Sequence, residues 1–325
     1  MTYAKLHAAW IAVARIFSIV KVKKSLSLLA LGLVTLVSAG GAGEPIRVAS
    51  KIDTEGGLLG NIVLQMLESR GLPVENKVSM ASSNIVRDAL LSGEIDIYPE
   101  YTGNGAFFSQ TPKDAVWKDL QKGYAAIKAF DDKTNHLVWL APAPANNTWA
   151  IAVTGKLAAD EQLKTLHDFA RYVNAGGTVK LAGSAEFIEN PLALPSFQNS
   201  YGFMLGKEQV LVLSGGNTAA TIQAAAAGIN GCNAAMVYGT DGAIAAAGLV
   251  VLDDPKGAQA VYAPAPVVRA ETLQAYPQIA TILAPVFASL ERETLQKLNE
   301  QIQVKGIPAG KVARTYLTEK GFIKP

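Results

Sequence analysis

The sequence predicts an α/β fold in two lobes, the second inserted into the first. Two observations carry this. Strand-like and helix-like stretches alternate from residue 46 to the C-terminus, the signature of βα units. Two non-helical Ala-Pro-Ala-Pro stretches, at 141–144 and 263–266, interrupt that alternation. One such linker would string two domains in series; two imply that the chain leaves the first lobe and returns. The first lobe is then residues 43–147 plus 263–325 and the second 148–262. Two hinge strands between lobes permit closure around a ligand. At 325 residues the chain is long enough for both.

The elements follow in order. Residues 46–49 form a short strand. Leu58, Ile62 and Met66 recur at helical spacing, so 58–69 is a helix that stops near Gly71. Residues 74–78 are a second strand. Ser82 and Ser83 can cap a helix over 84–91 that ends at Gly93. Residues 94–98 are a third strand, 115–130 a long helix and 136–140 a strand. The crossover 141–147 leads into a strand over 148–153. The second series has a helix over 165–173, a strand over 179–181 and a helix ending at 197–201. A strand over 210–213, a helix over 218–227 and strands over 234–238 and 250–252 complete it. The second crossover spans 262–267, and 280–320 is mostly helical.

The N-terminus reads as an address. Lys21, Lys23 and Lys24 precede an apolar run over 25–37, and small residues follow. This is a secretory leader, residues 1–42, cleaved after Ala39 or Ala42. The apolar run is short for a membrane span. Without the leader 24 bases face 27 acids, a net charge of −3. A mildly acidic body is a poor partner for nucleic acid or an anionic membrane. The single cysteine, Cys232, sits in an apolar strand pattern and excludes an internal disulfide.

Catalysis finds little support. Beyond the leader only His136 and His167 remain, and no nucleophile elbow, phosphate loop or metal-spaced cluster is present. No cofactor and no metal is expected. Aromatic placement is the distinctive feature. Residues 82–103 and 217–242 each run helix, glycine, strand, then a tyrosine and a glycine-containing turn. Ligands of open α/β sheets bind beyond the carboxyl ends of strands. The two tyrosine turns therefore face each other across a cleft. Tyr98, Tyr101, Trp149, Tyr238 and Tyr262 all fall at such loop-facing positions, with Tyr98 the one closest to the core. Aromatic faces hold a quaternary ammonium through cation–π contacts of about 0.5–2 kcal/mol each.

The chain resembles the substrate-binding proteins of ABC importers for glycine betaine, choline and related osmoprotectants, of the YehZ (OsmF) type. Six stretches carry the resemblance: 50–60 (SKIDTEGGLLG), 97–105 (IYPEYTGNG), 146–153 (NNTWAIAV), 184–188 (SAEFI), 238–241 (YGTD) and 262–266 (YAPAP). The resemblance implies the type II periplasmic-binding-protein fold, in agreement with the insertion. It implies an ammonium cage walled by Tyr101, Tyr238 and Tyr262, with Trp149 where relatives have a further tyrosine. It implies that the Asn147 carbonyl completes the cage. Lys51 and Asn104 match positions that meet the ligand's carboxylate or hydroxyl end. Asn190 stands where some relatives place an arginine on the carboxylate, so carboxylate recognition is expected to be weaker here. The implied partners are a small quaternary ammonium solute and a membrane permease, and the implied form is a periplasmic monomer. A sensory carrier of the same fold, binding another small cationic or zwitterionic solute, is the alternative.

Overall fold

A computed structural model describes residues 44–112, 115–213 and 218–325. The expected leader, residues 1–42, lies outside them. Among the described residues ten strands sort into two five-stranded sheets. The first holds β1 (Ile46–Lys51), β2 (Val74–Ala81), β3 (Ile97–Tyr101), β4 (Leu137–Trp139) and β10 (Pro264–Arg269), in the order β2-β1-β3-β10-β4. The second holds β5 (Trp149–Thr154), β6 (Leu181–Ser184), β7 (Val210–Leu213), β8 (Ala234–Tyr238) and β9 (Leu249–Val251), in the order β7-β6-β8-β5-β9.

The two sheets share one plan. β1 is parallel to β2 and β3, and β6 is parallel to β7 and β8. The fourth position in each sheet is an antiparallel strand that has just crossed from the other half: β10 beside β3, β5 beside β8. The chain passes from one sheet to the other between β4 and β5 and returns between β9 and β10. The crossovers run side by side. Ala143 N donates to Pro264 O at 2.8 Å, Asn147 N to Tyr262 O at 2.9 Å, and Tyr262 N to the Asn146 side-chain oxygen at 2.8 Å.

Each sheet is covered on both faces, as parallel strands require. The helix Thr54–Glu68 packs on the first sheet together with Gln278–Ala288, Arg292–Gln303 and Ala309–Glu319, around Leu58, Ile62, Met66, Leu283, Phe287 and Leu317. Tyr98, Trp117, Trp139 and Val267 form the core on its other face. The second sheet buries Phe169, Phe187 and Phe197 on one face and Ile222, Val237 and Ile244 on the other.

Several boundaries differ from expectation for definable reasons. The first helix begins at Thr54, not 58. Asp53 caps it by accepting from Gly56 N at 2.8 Å, and Gly56 is needed there because a Cβ would stand 2.7 Å from the Lys51 carbonyl. Strand β3 lies three residues later than expected, so Tyr101 rather than Tyr98 ends it. The expected long helix is divided at Asp119 into the 3-10 turn Ala115–Lys118 and the helix Leu120–Asn135. The second crossover is itself largely strand. Proline argues against a central strand, yet β10 holds Pro264 and Pro266 between two neighbours. Pro266 is directly opposite Pro99 of β3. Neither has an N–H to donate, so the two share a position where an antiparallel ladder makes no hydrogen bond.

Candidate ligand-binding site

The equivalent strands β3 and β8 end in Tyr101 and Tyr238, and the crossing strands β10 and β5 pair with them there. Trp149 is the direct cross-strand partner of Tyr238, and Pro264, two residues after Tyr262, is the partner of Tyr101. A cavity of about 480 Å³ opens here, lined from both sheets and from the crossovers. Of the eight residues expected at the site, Lys51, Tyr101, Asn104, Asn147, Tyr238 and Tyr262 line it.

Trp149 does not line this cavity. It stacks on Tyr238 with ring centroids 6.5 Å apart and planes 17° apart, and meets Phe187 edge-on at 6.2 Å. It lines two neighbouring hollows, of about 230 and 180 Å³. Asn190 lines the smaller of these, together with Trp149 and Tyr262, and not the main cavity. It ends the helix Ala185–Glu189, and its side-chain oxygen accepts from Leu192 N at 2.9 Å.

Two carboxylates organise the cavity, and the sequence reading named neither. Glu100 of β3 is fully buried. Its Oε1 accepts from Tyr101 N at 2.6 Å and Asn104 Nδ2 at 2.7 Å and is paired with the Lys51 ammonium; its Oε2 accepts from Tyr98 OH at 2.9 Å. The Lys51 ammonium also stands 4.4 Å from the centre of the Tyr101 ring. The donors expected to meet a ligand carboxylate are thus engaged by an internal one.

Glu55, in the first turn of the helix Thr54–Glu68, is the second. Tyr101 OH donates to its Oε1 at 2.8 Å, Asn147 Nδ2 to Oε1 at 3.1 Å and Asn299 Nδ2 to Oε2 at 2.8 Å. Burial lifts its carboxyl from 4.5 to about 7, against the opposing pull of hydrogen bonds from Thr240, Tyr101 and Asn299. Asp241, in the turn after β8, is likewise raised by burial to about 6 although it accepts from Tyr238 N at 2.7 Å. Burial also raises the Tyr238 phenol and takes that of Tyr262 up to about 12.

Asn299 belongs to the helix Arg292–Gln303, which packs on the first sheet but reaches the turn after β8. Gln296 Nε2 donates to Gly239 O at 2.9 Å, Asn299 Nδ2 to Thr240 O at 2.9 Å, and Gly242 N to Gln303 Oε1 at 3.0 Å. Residues 296, 299 and 303 share one helix face. They are a third connection between the halves, beside the two crossovers.

Comparison with known proteins agrees with this architecture. Residues 44–319 match the family described as the substrate binding domain of ABC-type glycine betaine transport system. The chain is 58% identical over 283 residues to the glycine betaine-binding protein YehZ of Escherichia coli (strain K12), covering 87% of this chain and 93% of that one. It is 30% identical over 282 residues to a glycine-betaine-binding protein of Pseudomonas aeruginosa, covering 85% and 88%. The structure of apo YehZ from Escherichia coli superposes with a TM-score of 0.80, covering 86% of this chain and 99% of that one. The fold is the type II periplasmic-binding-protein fold, and the family consists of binding proteins, not enzymes. The chain belongs to the substrate-binding proteins of ABC-type glycine betaine transport systems.

Proposed function

We propose that the chain captures a quaternary ammonium osmoprotectant, glycine betaine or a related betaine or choline, between two lobes and delivers it to an ABC permease. The lobes are residues 43–147 plus 263–325 and residues 148–262. The protein works as a monomer in the periplasm after its leader is removed. The observation that carries this reading is the convergence of Tyr101, Tyr238 and Tyr262 on one cavity from β3, β8 and the second crossover. Trp149 backs Tyr238 and holds its ring plane. Phenol rings offer an ammonium their negative faces without demanding a hydrogen bond, which a quaternary nitrogen cannot give. Asn147, Lys51 and Asn104 complete the wall, and Asn190 acts from the neighbouring hollow when the lobes close.

Calorimetric titration of the mature protein with glycine betaine and choline tests this reading. Saturable binding by either ligand, lost in a Tyr238→Ala, Tyr262→Ala double variant, supports it. Undiminished binding by that variant places the ligand elsewhere.

A further inference from the structure

The turn after β8 is gripped from two sides. Gly239 N donates to Thr148 O at 2.9 Å, and a Cβ on Gly239 would stand 2.4 Å from the Asn146 carbonyl oxygen, so the turn begins hard against the first crossover. Gly242, three residues on, lies against the helix Arg292–Gln303 of the first half. A Cβ there would stand 2.0 Å from Glu300 N and 2.3 Å from the Asn299 carbonyl carbon, backbone on backbone. Its φ of −72° is open to every residue, so space alone demands glycine. The helix seals this seat with groups of opposite polarity: Gln296 donates to Gly239 O, whereas Gln303 accepts from Gly242 N. Leu295 and Leu298 of the same helix are buried in the core of the first half. The helix therefore cannot follow the turn without unpacking that core. Tyr238 precedes the turn and Asp241 lies within it, and both line the cavity.

We propose that Gln296 and Gly242 are positioning residues: by tying the turn after β8 to the first half, they hold Tyr238 and Asp241 in the cavity before a ligand arrives. Neither of the two lines the cavity itself. Two crossovers alone leave the halves free to swing about one axis. A third attachment, at a turn that carries cavity residues, sets the separation from which the halves close. The ligand then meets a wall already in place, and less of its binding energy goes into ordering that wall. The fraction of molecules in the competent arrangement multiplies directly into the affinity. The proposal deepens the quaternary ammonium reading above and rests on it only where a ligand is measured.

The test joins small-angle X-ray scattering of the ligand-free mature protein with calorimetric titration by choline and glycine betaine, all at pH 8. Gln296→Glu sets a carboxylate against the Gly239 carbonyl, where a donor is required, and should enlarge the radius of gyration. Gln303→Glu keeps an acceptor for Gly242 N and should leave the radius at the wild-type value. Gly242→Ala forces the turn off the helix and should act like Gln296→Glu; should it fail to fold, Gln296→Glu decides. Each ligand that wild type binds should bind Gln296→Glu about tenfold more weakly, the competent fraction having fallen by that factor, and saturation should restore the wild-type radius. An unchanged radius in folded Gln296→Glu overturns the tie, whatever happens to affinity. A larger radius with unchanged affinity overturns the positioning role. Equal expansion by Gln296→Glu and Gln303→Glu removes the hydrogen bonds from it. If wild type binds neither ligand, the quaternary ammonium reading falls, and the scattering comparison alone decides the tie.

Discussion

The Tyr262 ring lies flat against the backbone of Gly103, where a Cβ would stand 2.8 Å from the ring carbons Cγ and Cδ1. The glycine of the turn after β3 thus sets how closely the second crossover's tyrosine approaches the cavity. Gly103→Ala should push the ring outward and open that wall. Loss of one aromatic face, about 0.5–2 kcal/mol, corresponds to about a two- to thirtyfold weaker dissociation constant. Titration of the variant beside wild type checks this. Unchanged affinity would mean that Tyr262 does not contact the ligand.

Trp149 and Tyr238 should behave as one unit. They are cross-strand partners with stacked rings, and only Tyr238 lines the cavity. Trp149→Ala removes the backing and is expected to weaken binding and to lower stability by about 3–5 kcal/mol, the range for truncating a large aromatic in a core, at the lower end because Trp149 is only half-buried. Trp149→Phe should retain most of both. A double-mutant cycle with Tyr238→Ala that gave strictly additive binding energies would deny the coupling.

Much of this site is legible in the chain. The repeated helix, glycine, strand and tyrosine pattern marked the ends of β3 and β8, though it placed Tyr98 rather than Tyr101 at the first of them, and two proline-rich stretches fall where the chain passes between the sheets. Glu100 left a trace as well: a carboxylate inside Ile-Tyr-Pro-Glu-Tyr is out of place in a buried strand unless a base such as Lys51 meets it. The contact of Glu55 with Asn299 joins positions 244 apart in sequence. Nothing local to either residue announces it, because the contact exists only once the C-terminal helices return to the first sheet. The strand character of Pro264–Arg269 was hidden for a related reason. Proline is unfavourable in a central strand by local rules, but Pro264 and Pro266 turn their carbonyls to Ala143 N and Leu140 N, beyond the end of β4, so their missing N–H groups interrupt no strand-to-strand ladder.

The first half is anchored by a second buried ion pair, whose residues do not line the cavity. Arg87 Nη1 donates to Asp131 Oδ2 at 2.9 Å, and Asp131 also accepts from Trp139 Nε1 at 2.6 Å and Asn135 Nδ2 at 2.7 Å. Removing one partner strands a charge in the core, which costs about 3–5 kcal/mol. Asp131→Ala should therefore shift the urea midpoint strongly downward. Ligand affinity, measured where the variant remains folded, should change little. A large affinity change at constant fold would show that this cluster communicates with the cavity.

Glu55 and Asp241 give the protein a pH dependence whose sign follows from burial. Both carboxyls are raised in the fold, Glu55 from 4.5 to about 7 and Asp241 from 3.8 to about 6. The folded state therefore holds protons that the unfolded chain has released. The stabilising contribution of Glu55 is fully present below pH 4.5 and is lost as the pH rises through about 7. The displacement corresponds to about 3 kcal/mol for Glu55 alone. Denaturant midpoints of the ligand-free protein should fall between pH 5 and 8, and Glu55→Gln should flatten that slope. A bound cation favours the ionised carboxylates and reverses the trend: its affinity should rise with pH over the same interval, by up to tenfold per unit below pH 7. Titrations with choline at pH 6, 7 and 8 measure this directly. A flat profile would mean that the cation binds too far from Glu55 and Asp241 to affect their ionisation.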